Sequence, residues 1–195
     1  MISESKISDE ILNRFNHLQT QARDGDSSAM TLASVDERGR PTQRIITLLQ
    51  IDPHGLVFFT NRNSRKGQHF ANNPYASACF YWHGLKQQVE FDGIIKLVEE
   101  SVTDAIWQTR DRDSQIGSWA SNQSQPLEKR QQLFARVEDV KNRYRDILIP
   151  RAPNWVAYRL VPDRVEFWKS GWHRLHERVC YELVNNIWRH YFLNP

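Results

Sequence analysis

Cysteine is scarce in this 195-residue chain, with Cys79 and Cys180 its only two. Both lie in apolar, strand-like settings, which favours buried free thiols over a disulfide and leaves no zinc-type spacing. Long apolar runs are missing as well: none approaches the roughly 18–20 residues that span a bilayer, so no membrane partner is expected. The opening Met1-Ile-Ser-Glu-Ser-Lys-Ile-Ser-Asp-Glu10 has neither the basic start nor the apolar core of a signal peptide, and the expected location is the cytoplasm. An excess of one charge is also lacking. Lys and Arg total 26 against 23 Asp and Glu, a net charge of +3 with the signs interspersed, which argues against nucleic acid as the partner. The eight glycines form no phosphate-cradling loop, and neither a Gly-x-Ser-x-Gly elbow nor a His-Glu-x-x-His helix occurs. Nucleophilic and metal-based chemistries are set aside, with no metal ligands expected.

What is present is a soluble composition, 39% hydrophobic and 25% charged, that fits a single domain over residues 1–195. Two polar stretches stand out against it. One is Arg110-Asp-Arg-Asp-Ser-Gln-Ile-Gly-Ser-Trp-Ala-Ser-Asn-Gln-Ser124, too polar for a core strand and too varied for a spacer; it reads as a loop. The other is Glu166-Phe-Trp-Lys-Ser-Gly-Trp-His-Arg-Leu-His-Glu-Arg178. Two loops rich in arginine and aromatics suit an anionic, planar ligand.

Around these stretches the periodicity alternates between helix and strand. Ile11, Leu12, Phe15, Leu18 and Ala22 make an amphipathic helix over 9–23, capped by Ser8 or Asp9, within an N-terminal helical segment 1–27. Strands are expected at 29–35, 43–51 and 56–60, joined by hairpin turns. Ser64 then caps a short helix ending before Pro74, whose free N–H groups and neighbouring Arg65 and Lys66 make a physical anion site. A further hairpin pairs 76–82 with 87–98, and a short helix covers 99–109. A peripheral helix is expected over 127–148, with Leu133, Phe134, Val137, Val140, Tyr144 and Leu148 as its stripe. Strands at 155–161, 164–168, 178–183 and 187–193 complete the chain from 155 to 195. The expected fold is mainly β with peripheral helices: seven to nine antiparallel strands in a closed or split barrel, which removes the sheet edges. His69, His83, His173 and His190 are read as structural or exposed.

In order and at matching spacing, several motifs resemble the pyridoxamine 5'-phosphate oxidase family over nearly all of the chain from Ala29 onward. They are Gln43-Arg-Ile-Ile, Phe59-Thr-Asn, Ser64-Arg-Lys, Trp82-His with Gln87-Gln88, the Arg110–Trp119 run, Gln123-Ser124, Glu166-Phe-Trp and His173-Arg-Leu-His-Glu-Arg178. The resemblance implies an antiparallel split-barrel homodimer with flavin mononucleotide (FMN) at the subunit interface. It implies FMN contacts from Arg44, Ile45, Ile46, Phe59, Thr60, Arg65, Lys66, Gln88, Gln123, Ser124, Trp168 and Arg178. Arg110 and Ser114 would bind the substrate phosphate, and Arg174 and His176 would lie over its ring as the catalytic pair. The reaction implied is oxidation of pyridoxamine or pyridoxine 5'-phosphate to pyridoxal 5'-phosphate with O2 as acceptor. Two positions depart from the pattern: Leu49 stands where the family usually has a lysine, and Ile106 where it has a tyrosine. That keeps open a relative of the phenazine-biosynthesis oxidases, acting on a non-phosphorylated ring, and a split-barrel protein that binds flavin without turnover. Trp172 has no assigned role beyond a place near the mouth of the site.

Overall fold

A computed structural model describes residues 6–23 and 25–195; residues 1–5 and 24 of the expected N-terminal segment lie outside the described residues. Helix α1 spans Asp9–Gln21, with Ser8 Oγ accepting from the Ile11 N–H and Asp9 and Glu10 in the first turn, where acids favour the helix dipole. It seats Ile11, Phe15 and Leu18 in the main core. Phe15 packs among Phe80, Phe91 and Trp82 at ring separations of 5.0, 5.3 and 5.7 Å.

The strands follow as β1 (Ala29–Val35), β2 (Pro41–Thr47), β3 (Gln50–Asp52), β4 (Gly55–Asn61), β5 (Tyr75–Trp82), β6 (Gln87–Leu97), β7 (Trp155–Lys169), β8 (Glu177–Val184) and β9 (Ile187–Phe192). Helices α2 (Arg65–Asn72), α3 (Glu100–Thr109), α4 (Arg112–Ala120) and α5 (Arg130–Arg143) lie between them. Every pairing is antiparallel, in the order β2-β1-β5-β6-β7-β4-β3, with β8 on β7 and β9 on β8. The expected antiparallel split barrel with peripheral helices is therefore the observed architecture.

Strand β7 creates the split. Its first half pairs with β4 and its second half with β8, while β6 accompanies it throughout. A bulge lets it turn between these partners: the register with β6 shifts between Asp92 and Gly93, opposite Pro162. Pro162 has no N–H to give a ladder, and a bulge is where a sheet tolerates it. Gly93 is required there, because a Cβ would lie 2.1 Å from the Val161 carbonyl oxygen. A second, smaller core gathers Trp107, Ile116, Ala120, Val140, Tyr144 and Ile149 from the helical side against Trp155.

Four expectations are corrected. Residues 110–124 are not a loop: Asp111 accepts from the Ser114 N–H at 2.7 Å and starts α4, which buries Gln115, Ile116 and Ala120. The 127–148 helix is shorter, Arg130–Arg143, because Leu127 (39% exposed) and Leu148 (82% exposed) at its expected ends have no core to join. The expected strand at 43–51 breaks into β2 and β3 around Leu48 and Leu49. The strands at 155–161 and 164–168 are one, since the bulge carries the chain past Pro162 without ending the ladder.

Phe15→Ala tests the closure of the core by α1: removing this fully buried ring should cost about 3–5 kcal/mol in urea denaturation. A loss below about 1 kcal/mol would mean that the sheet closes without the helix.

Candidate functional site

The N-terminus of α2 and the middle of β2 bring three cations together, next to Thr60 of β4. Ser64 caps α2, accepting from the Gly67 N–H, and Lys66 in the first turn points inward. Lys66 is buried, with Nζ donating to Thr60 Oγ1 at 2.8 Å, Gln123 Oε1 at 3.2 Å and Ser64 Oγ at 3.3 Å. Burial, followed by the neighbouring charge of Arg44, pushes its pKa down to about 8. Arg44 donates through Nη1 to Leu32 O and Ser34 Oγ, both at 2.9 Å, and through Nη2 to Thr42 Oγ1 at 2.7 Å. Its proton affinity is lowered by burial and then by Arg65. Among the described residues no ion pair joins Arg44, Arg65 or Lys66 to a carboxylate. Three mutually repelling cations left unneutralised make an anion site.

Of these cations, Lys66 lines a cleft of about 620 Å3, together with Ile46, Phe59, Thr60, Gln123, Arg110 and Ser114, while Arg44 and the exposed Arg65 stand outside that lining. Phe59 and Trp155 stack at 4.1 Å and 8° in its wall, and the Arg110 guanidinium sits 5.0 Å over Trp155. Burial lowers the proton affinity of Arg110, Asp111 opposing it, and Arg110 Nε is buried with no hydrogen-bond partner. A guanidinium held by a ring instead of a carboxylate keeps its charge available for a ligand.

A second group gathers far from the first. Gln88, Trp168 and Arg178 stand opposite one another across β6, β7 and β8. His176 packs on Trp168 at 4.7 Å, and its Nδ1 accepts from the Gly171 N–H at 3.3 Å. Arg178 forks onto Glu166 at 2.6 and 3.1 Å, and Arg164 holds the same carboxylate at 2.6 Å. Burial alone would raise Glu166, but these hydrogen bonds outweigh it and keep the carboxylate below its usual range. Arg174 is exposed in the loop between β7 and β8, where it and His173 adopt left-handed backbone at φ 65° and 53°. Trp172 is 89% exposed beside them.

Thr60 and Phe59 pair with Val156 and Ala157 at the start of β7, whereas Trp168 lies near its end. The contour between Trp155 and Trp168 is about 40 Å at the usual rise per strand residue. Arg174 and His176 thus do not line the cleft in one chain. Ile45 is exposed and Ser124 lies outside the lining. Leu49 does line the cleft, while Ile106 packs on the smaller core. The sequence reading missed Trp155, Asn61, Ser118 and Ser121 in the lining. The Ser114, Ser118 and Ser121 spacing is helical, and it becomes readable once Asp111 is taken as an N-cap.

A split barrel with an aromatic-walled cleft lined by Lys66 and Arg110 has the features of a binding site for a flat, anionic ligand. The family model described as pyridoxamine 5'-phosphate oxidase matches residues 18–144, and that of the pyridoxine 5'-phosphate oxidase C-terminal dimerisation region matches 155–195. The chain belongs to the pyridoxamine 5'-phosphate oxidase family. Its relatives include a pyridoxine/pyridoxamine 5'-phosphate oxidase of Myxococcus xanthus, 41% identical over all of this chain and 96% of that protein. Another of the same name, from Alkalilimnicola ehrlichii, is 43% identical over 97% of this chain and 100% of its own. Among solved structures, PhzG of Burkholderia lata in complex with tetrahydrophenazine-1-carboxylic acid superposes with a TM-score of 0.89 at 34% identity, covering 95% of this chain and 91% of that one. A pyridoxamine 5'-phosphate oxidase-related, FMN-binding protein of Nostoc punctiforme shares the fold, with a TM-score of 0.74 at 18% identity over 96% and 97% of the chains.

Because the folded-state pKa of Lys66 lies below the 10.5 of an ordinary lysine, the unfolded chain binds more protons between about pH 8 and 10.5. Stability from this group therefore rises as pH rises through that window, and at pH 7 the buried charge opposes folding. Flavin-free Lys66→Met should melt about 2–4 °C above the parent at pH 7, and should lose the stabilisation that added inorganic phosphate gives the parent. Equal phosphate responses in the two proteins would remove Lys66 from the anion site.

Proposed function

We propose that this chain is an FMN-dependent oxidase that converts pyridoxamine or pyridoxine 5'-phosphate to pyridoxal 5'-phosphate, with O2 reduced to hydrogen peroxide, in the cytoplasm. The carrying observation is Lys66 in the lining of a cleft with a stacked aromatic wall, with Arg44 and Arg65 adding unneutralised charge near it, a match for a phosphorylated flat heterocycle. The cofactor's phosphate is assigned to these cations with Thr60, and its ring to Ile45, Ile46 and Phe59. Gln88, Gln123, Ser124, Trp168 and Arg178 complete the binding set.

FMN, when bound, supplies the hydride acceptor and the reaction with oxygen. The chain supplies placement and charge. Arg110 and Ser114 anchor the substrate phosphate, with Arg110 pre-positioned over Trp155. Arg174 and His176 lie over the substrate ring and stabilise charge there. His176 Nδ1 accepts from Gly171, so the neutral ring carries its proton on Nε2 and presents Nε2–H as a donor. Fixing both flat rings in register removes much of the entropic cost of hydride transfer. With pyridoxamine phosphate, water then displaces ammonia from the oxidised carbon.

The distance along β7 supports a homodimer in which Arg174 and His176 of one copy, with Gln88, Trp168 and Arg178, close the cleft of the other. The match to a dimerisation region supports it too. A second reading has a specific observation behind it. Leu49 offers the cleft no charge where the family usually has a lysine, which favours a substrate with a weaker anion, and PhzG binds a ring carboxylic acid.

The decisive spectrum is that of the purified protein without oxygen. The flavin bands should bleach on addition of pyridoxine 5'-phosphate, and Leu49→Lys should lower the KM for that substrate about tenfold. Bands that persist with phosphorylated vitamers but bleach with a reduced tricyclic carboxylic acid would establish the second reading.

Shared sites have their own signature. Arg110→Ala and Arg174→Ala should each be inactive alone, whereas co-refolded together they should recover about a quarter of parental activity, because half of the dimers are mixed and each mixed dimer carries one intact site. No recovery would place the whole site within one chain.

A further inference from the structure

Behind the cation cluster lies a buried polar chain with no part in the roles above. Ser34 on β1 is fully buried, and its Oγ lies 2.9 Å from Arg44 Nη1 and 3.0 Å from His69 Nδ1. His69 is buried in α2, three residues after Lys66, which fits the structural and not the exposed alternative of the sequence reading. The direction of each bond follows from proton counting. Arg44 can only donate, so Ser34 Oγ accepts from it. The hydroxyl has a single proton, and among the described residues the one further side-chain partner within hydrogen-bond reach is His69 Nδ1. With the imidazole hydrogen on Nε2, Nδ1 accepts that proton and every polar hydrogen of the Arg44–Ser34–His69 chain at this hydroxyl is used. A neutral ring agrees with its surroundings: burial first, then Arg65 on its own helix and Arg44 on β2, oppose protonation, while a backbone hydrogen bond with Ser34 favours it. Asp36 in the β1–β2 turn favours it but is already engaged by Arg38 and Arg40.

The consequence falls on Arg44. Its five N–H groups form a rigid fork. Leu32 O, Ser34 Oγ and Thr42 Oγ1 take three of them, which fixes the plane of the guanidinium and leaves Nε–H and one Nη2–H uncommitted. Ser34 is the one side chain in this set whose own orientation depends on a further residue. We propose that His69, acting through Ser34, is a positioning residue for the cofactor phosphate: it orients the hydroxyl that orients Arg44. This rests on the reading that Arg44, Arg65 and Lys66 hold that phosphate.

The test measures dissociation constants by quenching of flavin fluorescence, with FMN and with riboflavin, which has the ring without the phosphate. His69→Leu keeps the bulk and removes the acceptor; His69→Asn places an amide oxygen near the position of Nδ1. His69→Leu and Ser34→Ala should each weaken FMN binding about tenfold, and the double variant should be no weaker than either single one. His69→Asn should remain within about twofold of the parent, and riboflavin binding should be unchanged throughout. FMN binding unaltered in His69→Leu would overturn the inference while leaving the cofactor assignment standing. Equal losses for FMN and riboflavin would also overturn it, since they mark a general loosening of the fold. A parent protein that binds riboflavin as tightly as FMN would instead overturn the assignment of the cations to the phosphate, and the inference with it.

Discussion

Like charges brought together without counter-charges are the constraint around which this molecule is built. Arg44, Arg65 and Lys66 arrive from β2 and α2, and none has a carboxylate among the described residues. The fold answers with neutral oxygens: Thr60, Ser64 and Gln123 for Lys66, and Leu32 O, Ser34 and Thr42 for Arg44. Hydroxyls, amides and carbonyls solvate a cation without cancelling it, so the field survives for an external anion. The other cluster follows the opposite rule. Glu166 is paired with both Arg164 and Arg178, and Arg164 also with Asp92, so these charges offset one another within the protein beside a stacking surface.

Strand β7 relates the two regions. Its first residues brace the aromatic wall through Trp155, and its last carry Trp168 into the row with Gln88 and Arg178. Because it exchanges β4 for β8 midway, a side chain near one end serves the cleft while one near the other end faces a different surface. The bulge at Gly93 and Pro162 is the hinge of this arrangement, and the sequence marks it with the two residues least suited to an uninterrupted ladder.

Much of this was legible in advance, for identifiable reasons. Alternating burial in β1 and the apolar stripe of α1 follow from periodicity alone, and Ser64 announced α2 as a capping residue. The cation cluster was readable because Arg65 and Lys66 sit at that cap. Helix α4 was hidden because its buried face is carried by Gln115 with only Ile116 and Ala120 as apolar partners, a pattern that periodicity reads as loop. Continuity of β7 was hidden by Pro162, a local breaker overruled by its neighbours on both sides. The roles of Ser34 and His69 were out of reach: 35 residues separate them, and only the packing of α2 on β1 makes them partners.

Leu49 occupies an unusual place in this scheme. It lies in the two-residue break between β2 and β3, its backbone N–H is satisfied by Val57 O, and its side chain, 44% exposed, meets the cleft and not the core. Leu49 belongs to neither core cluster, so changing it should cost the sheet little. Selection can therefore act on this position almost independently of folding. The split between β2 and β3 makes this barrel evolvable at the point where a substrate would meet it.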